Sequence, residues 1–129
     1  MRRATHIILF LLAALLVTQA AYSLRWPIAH DEAPLFYEAF LMQSEGRIPY
    51  RDIFDFQMPG SYIAYDLLGR LSSFIALRIR ILDLLILAAL IGITFQAMRR
   101  FDRTPALAAG ILFGLKYLQG GPSLSLQRE

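Results

Sequence analysis

The chain has 129 residues, of which 57% are hydrophobic and only 18% are charged. Soluble domains carry about 45–50% apolar and about 25% charged residues, so the composition predicts membrane segments and excludes a disordered chain. The net charge of +3 is too small to indicate a nucleic-acid-binding protein, and the absence of cysteine excludes disulfides and cysteine-based metal sites. The two histidines, His6 and His30, lie 24 positions apart, which argues against a metal site built from histidines. We expect no cofactor, and whether a divalent cation takes part stays open.

The first predicted element is a transmembrane helix or signal anchor over residues 1–24. It contains an 18-residue run without a charge, which at about 1.5 Å per residue nearly spans a hydrocarbon core of about 30 Å. Arg2 and Arg3 precede the run and predict a cytoplasmic N-terminus. A cleaved signal peptide is the alternative, since the small residues Thr18 and Ala20 could precede a cleavage site. Both interpretations place the following residues on the exported side.

A second transmembrane helix is predicted over residues 81–98, and the arginine-rich segment 99–105 is predicted to be a cytoplasmic loop. Asp83 lies near the outer end of this helix. A carboxylate within a membrane is a candidate functional group. The alternative is a structural ion pair between Asp83 and Arg80 or Arg78.

A third, partial transmembrane helix is predicted over residues 106–118, because Thr104 and Pro105 form a favourable helix start before the apolar run. Residues 119–129 are interpreted as a truncated tail. We therefore expect the chain to be the front of a longer polytopic membrane protein.

Residues 25–80 are predicted to form a long exported loop with two short helices. The first begins at Asp31 or Glu32 and stops at Gly46, and the second runs from Ser61 to about Leu77. The aromatic residues predicted to face the membrane interface are Tyr62, Tyr65 and Phe74. The expected fold is thus an all-α membrane protein with two to three transmembrane helices and an exported loop containing two interfacial helices.

Three segments of this loop resemble a known family. They are H-D-E-A-P-L-F-Y-E-A-F at 30–40, G-R-I-P-Y-R-D-I-F-D at 46–55 and M-P-G-S-Y at 58–62. Together with the preceding apolar helix, they resemble the N-terminus of the polytopic GT-C glycosyltransferases, in particular the protein mannosyltransferase, aminoarabinose transferase and RgtA/B/C/D-like set. The resemblance covers about residues 5–100. It implies transfer of a sugar from a polyprenyl-phosphate carrier to an acceptor on the exported face.

The resemblance also implies roles for individual residues. Asp31 matches the family's catalytic carboxylate, which accepts the proton of the attacking hydroxyl or orients the acceptor, and Glu32 supports it. Arg47 and Arg51 are candidates for binding the phosphate, since a guanidinium matches phosphate geometry. Gln57 stands where relatives often carry a lysine, so the phosphate contact there would lack a charge.

Tyr50 and Asp52 complete the candidate substrate-binding set, and both have simpler interpretations. Tyr50, like Phe54 and Phe56, fits an interfacial anchor or loop packing. Asp52, like Asp55, fits an ion pair with Arg47 or Arg51 within the turn. Asp31 itself also fits a helix cap, a role that does not exclude catalysis.

The predicted location is the inner cell membrane, with residues 25–80 exported. The expected partners are the lipid bilayer, the polyprenyl-phosphate-linked sugar donor and the remaining transmembrane segments of a full-length protein, but no nucleic acid. Two other functions stay open: a small non-enzymatic accessory protein, and a transporter fragment that uses Asp83. We expect the 129-residue chain alone to be inactive, because it is too short to form the multi-helix donor groove of such transferases.

Overall fold

A computed structural model describes residues 2–29, 32–55, 57–122 and 126. Within these ranges the fold is all-α and contains no sheet, as the sequence predicts. The helices are α1 (Arg2–Ser23), α2 (Glu32–Glu45), α3 (Pro59–Ser72), α4 (Ala76–Met98) and α5 (Arg103–Gln119).

Helices α1 and α4 are long and apolar enough to cross a membrane. Their apolar stretches of 21 and 23 residues extend over about 32 and 35 Å, which matches a hydrocarbon core of about 30 Å. Their apolar side chains point outward: Phe10 of α1 is 72% exposed and Ile93 of α4 is 63% exposed. Because core helices of water-soluble proteins bury such residues, these surfaces fit a lipid environment.

Helix α5 packs against both α1 and α4 through small residues on one face. A Cβ atom added at Gly114 would lie 2.7 Å from Ile91 Cδ1 and 2.9 Å from Leu16 Cδ1. Gly110, one turn earlier, likewise faces Ile91. Small residues at a helix interface let the backbones approach closely, which is how helices associate where lipid removes the hydrophobic driving force.

Helices α1, α4 and α5 form one layer. Contacts between residues near the helix termini mark its two ends. At one end Arg80, near the start of α4, contacts the backbone that follows α1, and Asp83 contacts Tyr117 near the end of α5. At the other end the start of α1 and the α4–α5 turn line one cavity, formed by Thr5, His6, Asp102, Thr104 and Pro105. The predicted exported loop and the basic turn therefore lie at opposite ends.

The boundary between α3 and α4 differs from the predicted one. The helix predicted from Ser61 to about Leu77 runs from Pro59 to Ser72, and α4 begins at Ala76 rather than at residue 81. Ser73 and Phe74 adopt left-handed backbone angles, with φ of 52° and 57°, and stop α3. The Phe74 ring folds back over Gly69, where a Cβ atom would lie 2.5 Å from the ring.

Helices α2 and α3 pack on each other and on the start of α4. The Phe36 and Tyr65 rings meet edge to face with centroids 4.9 Å apart. The buried core consists of Leu35, Phe36, Ala39, Tyr65 and Ile79. Tyr62 and Tyr65 are each 4% exposed, so the prediction that they face the membrane interface is wrong: Tyr65 packs against Phe36 of α2, and Tyr62 packs against Tyr50.

The predicted ends of α2 and α5 agree closely with the structure. Helix α2 spans Glu32–Glu45 and is followed by Gly46, whose φ of +65° suits the residue after a helix. Asp102 caps α5, because its side chain accepts a hydrogen bond from the Arg103 backbone N–H, so the helix starts slightly before the predicted Thr104–Pro105.

Candidate functional site

A buried ion pair joins the start of the loop to α4. The two terminal nitrogens of Arg80 donate to the two carboxylate oxygens of Glu32, at 3.1 Å (Nη1–Oε1) and 2.9 Å (Nη2–Oε2). The side chains are 1% and 3% exposed, respectively. This two-pronged geometry is the strongest arrangement that arginine and a carboxylate form, and it partly offsets the cost of removing both charges from water.

The same guanidinium also fixes the segment that connects α1 to α2. Arg80 Nη2 donates to the Pro27 carbonyl at 2.6 Å, and Arg80 Nε reaches the Trp26 carbonyl at 3.5 Å. The Glu32 backbone N–H then donates to the Ala29 carbonyl at 3.3 Å. One side chain therefore holds both flanks of the loop's entry against α4.

Of the two predicted catalytic carboxylates, Glu32 belongs to the described residues and Asp31 does not. Glu32 is buried, and both of its oxygens are bound by Arg80. A general base must reach the proton it accepts, at about 2.6–3.2 Å, so this geometry favours a supporting role for Glu32. Asp31 lies outside the described residues, as do His30 and Phe56. Asp31 directly precedes the fixed Glu32.

A second buried polar cluster lies beside this ion pair. The Tyr117 hydroxyl donates to Asp83, which is 2% exposed, and accepts a hydrogen bond from the Leu126 backbone N–H at 3.0 Å. The Tyr65 hydroxyl donates to the Leu126 carbonyl at 3.1 Å. The sequence offered Arg80 or Arg78 as partners of Asp83, whereas Arg80 binds Glu32 and Arg78 donates to Ser73 Oγ. Asp83 therefore helps to join α3, α4 and α5.

The remaining candidate residues lie together in the turn between α2 and α3. Of the two arginines predicted to pair with Asp52, Arg51 forms the ion pair, at 2.8 Å, while Arg47 binds Glu45 at 3.1 Å. Asp52 Oδ2 also accepts from the Ile48 backbone N–H at 2.9 Å, which closes the turn.

Tyr50 connects this turn to the residues that precede α3 and to α3 itself. Its backbone has φ of 64°, and its hydroxyl donates to the Gln57 carbonyl. The Tyr50 ring meets Tyr62 edge to face, with centroids 5.4 Å apart. Although 55% of Tyr50 is exposed, its ring thus connects the turn to α3. The turn presents two arginines, an acid and an aromatic ring to the exterior, a set of groups that suits a phosphate or a sugar.

The hydrogen bonds of the turn change the pKa of Asp52. The hydrogen bond from Arg51, followed by that from the Ile48 backbone N–H, lowers the pKa of Asp52 from 3.8 to about 2. Both interactions favour the charged carboxylate. The same hydrogen bonding, in which the Arg51 guanidinium donates to the Asp52 carboxylate, raises the pKa of Arg51.

The depressed pKa predicts how the turn responds to acid. Because the folded pKa of Asp52 lies below the unfolded one, its contribution to stability is complete above about pH 4 and is lost as the pH falls through about 2. We expect the carboxyl ¹³C signal of Asp52 to titrate with a midpoint near 2. The Arg51→Gln variant should raise that midpoint toward 3.8. A wild-type midpoint near 3.8 would contradict the prediction.

A metal site is not formed by the described side chains: no group of three or more His, Asp or Glu residues among them is arranged to hold an ion. The sequence pointed to Arg80 only as a possible partner of Asp83, and it did not predict the pairing of Arg80 with Glu32. An arginine inside a long apolar helix is costly unless paired, so its presence in α4 signals a buried acidic partner. That signal does not identify which acid.

Comparisons with known proteins do not assign a family or a function to this arrangement of residues. No protein-family model matches the chain, and neither a curated protein nor a solved structure matches it.

Proposed function

We propose that the chain is the membrane-anchored N-terminal part of a glycosyltransferase, which moves a sugar from a polyprenyl-phosphate carrier to an acceptor on the exported face. In this proposal Asp31 accepts the proton of the attacking acceptor hydroxyl. The leaving phosphate already carries charge, so it needs cations more than an acid. The exposed guanidiniums of Arg47 and Arg51 supply that charge, beside Tyr50, Asp52 and Gln57.

The observation that carries this proposal is the set of contacts that Arg80 makes with Glu32, Trp26 and Pro27, which we call the clamp. It fixes the backbone on both sides of the Asp31 position to the end of an apolar helix long enough to span a membrane. A lipid carrier presents its phosphate at that depth. Asp31 directly precedes Glu32 in the chain, so in this proposal the catalytic carboxylate works next to the residue that Arg80 holds, and rigid placement is a large part of catalysis.

The charge distribution supports the proposed orientation in the inner membrane. Arg2, Arg3, Arg99, Arg100 and Arg103 lie at the end opposite the clamp. Basic residues next to membrane spans are retained on the cytoplasmic side. The end that carries residues 25–75 then faces outward.

The test uses membranes that contain the product of the full coding frame beginning with this chain, a radiolabelled polyprenyl-phosphate sugar and extracted acceptors. We expect sugar transfer, and we expect Asp31→Asn to lower kcat by about 100-fold or more while donor binding persists. Glu32→Gln should instead lower the yield of folded protein. If the frame stops after Glu129 and no adjoining frame supplies further spans, the proposal fails.

Two controls accompany this test. Asp102→Asn, at the opposite end of the bundle, should leave kcat unchanged. Because the chain has no cysteine, Ser44→Cys and Phe101→Cys each introduce a single thiol for labelling in intact cells. A membrane-impermeant reagent should modify position 44 and spare position 101. The reverse pattern would overturn the proposed orientation.

A further inference from the structure

An open cavity of about 740 Å³ lies at the end of α4 opposite the Glu32–Arg80 pair. The residues that line it are Phe95, Gln96, Arg99, Arg100 and Arg103. This arginine cavity is within the size range of small-molecule sites, about 300–1,000 Å³. The cavity contains none of the residues proposed for catalysis or for substrate binding.

The three arginines of the arginine cavity are exposed, and none of them forms an ion pair with a carboxylate in the described part of the chain. Asp102, between them in sequence, bonds to the Arg103 backbone N–H and lines the neighbouring cavity with His6. Three like charges around one opening repel each other and concentrate a positive potential there. An anion in the cavity would relieve that repulsion.

The form of these cations indicates which anion fits. A guanidinium is planar and offers paired N–H donors that match two oxygens of a phosphate group. Gln96 adds a neutral amide to the lining. A phosphate ester is therefore the anion whose geometry these groups match.

The surroundings of the arginine cavity indicate that this phosphate belongs to a lipid. The cavity lies at the end of α4, just beyond the exposed apolar residues Leu90 and Ile93. Phe101 beside it is 70% exposed, and the Arg100 guanidinium lies 5.0 Å from the centre of its ring. Exposed aromatic residues next to basic ones are typical of the headgroup layer. Retention of basic residues in the cytoplasm explains the presence of the arginines but not their convergence on one cavity.

We infer that the arginine cavity binds the phosphate of an anionic phospholipid headgroup, with the acyl chains running along the exposed apolar surface of α4. Basic pockets at membrane helix ends hold such headgroups through charge and hydrogen bonding.

The test is native mass spectrometry of the purified chain in a non-ionic detergent, titrated with phosphatidylglycerol or, in parallel, with neutral phosphatidylcholine. We expect phosphatidylglycerol to bind preferentially. A basic residue near an anionic surface contributes about fivefold in affinity, so the combined Arg99→Gln, Arg100→Gln, Arg103→Gln variant should bind about 100-fold more weakly. Lysine at the same three positions should restore part of the affinity, which separates loss of the site from loss of folding.

The matched control removes the same charge elsewhere, by Arg25→Gln, Arg70→Gln and Arg78→Gln at the other end of the layer. This variant should bind phosphatidylglycerol like the wild type; an equal loss would mean attraction by net charge alone and would overturn the inference. Unchanged binding in the arginine-cavity variant would also overturn it. Displacement of the lipid by millimolar inorganic phosphate would show that free phosphate occupies the site, contradicting a lipid ligand.

Discussion

Replacing Arg80 with glutamine is expected to lower the free energy of unfolding by about 3–5 kcal/mol, because it leaves the Glu32 carboxylate buried without its cation. The substitution also removes the hydrogen bonds to the Trp26 and Pro27 carbonyls. The measurement is unfolding of the purified chain in mixed micelles with increasing SDS, followed by circular dichroism.

The control for this prediction is a double-mutant cycle with Glu32→Gln. Removing both charges should cost less than the sum of the two single substitutions, because the doubly neutral pair leaves no buried charge. Arg70→Gln serves as the exposed counterpart: Arg70 pairs with Asp66 at 2.9 Å, but its side chain is 65% exposed, so we expect a loss of only about 0.3–0.5 kcal/mol. A loss below about 1 kcal/mol for Arg80→Gln would contradict the structural importance of the pair.

Replacing Gly114 with leucine is expected to destabilise the bundle by about 1–3 kcal/mol or more, because the new side chain overlaps Ile91 and Leu16. The overlap would force α5 away from α1 and α4 and separate the Asp83–Tyr117 contact. The same SDS titration measures the effect. Fluorescence transfer between labels on α1 and α5 would report the increased separation.

Gly92 of α4 provides the matched control for Gly114. Nothing lies within 4 Å of a Cβ atom added at Gly92, and leucine favours a helix more than glycine does by about 1 kcal/mol. Gly92→Leu should therefore leave stability unchanged or raise it. If both substitutions destabilised the protein equally, the close approach of Gly114 to Ile91 and Leu16 would not determine how α5 packs on α1 and α4.

These contacts have a consequence for the proposed transferase. Arg80 joins the entry of the loop to α4, while Tyr65 and Phe36 join α3 to α2. The loop is thus one structural unit with the helices that can span a membrane. Within the acidic pair, we expect Glu32 to hold the backbone and Asp31 to carry the chemistry, a division that the Asp31→Asn and Glu32→Gln variants separate.

The local elements could be predicted from sequence because their signals are local. An uninterrupted apolar run predicts α1, and Gly46 predicts the end of α2. The Arg51–Asp52 ion pair was also predictable, since the two residues are adjacent. The cluster of arginines after α4 was visible in the sequence, but the cavity that they line was not, because its shape depends on the path of the backbone between α4 and α5.

By itself, the sequence determined the all-α class, the two long apolar helices and the separation of the basic segments from the loop, because composition and hydrophobic runs act over one helix at a time. The tertiary structure decided that Arg80 binds Glu32, 48 positions away, and that Tyr62 and Tyr65 face inward. It also decided that α3 ends at Ser72, where the Phe74 ring packs over Gly69. Such contacts depend on which helices meet and on which faces, and no local pattern of residue types encodes that choice.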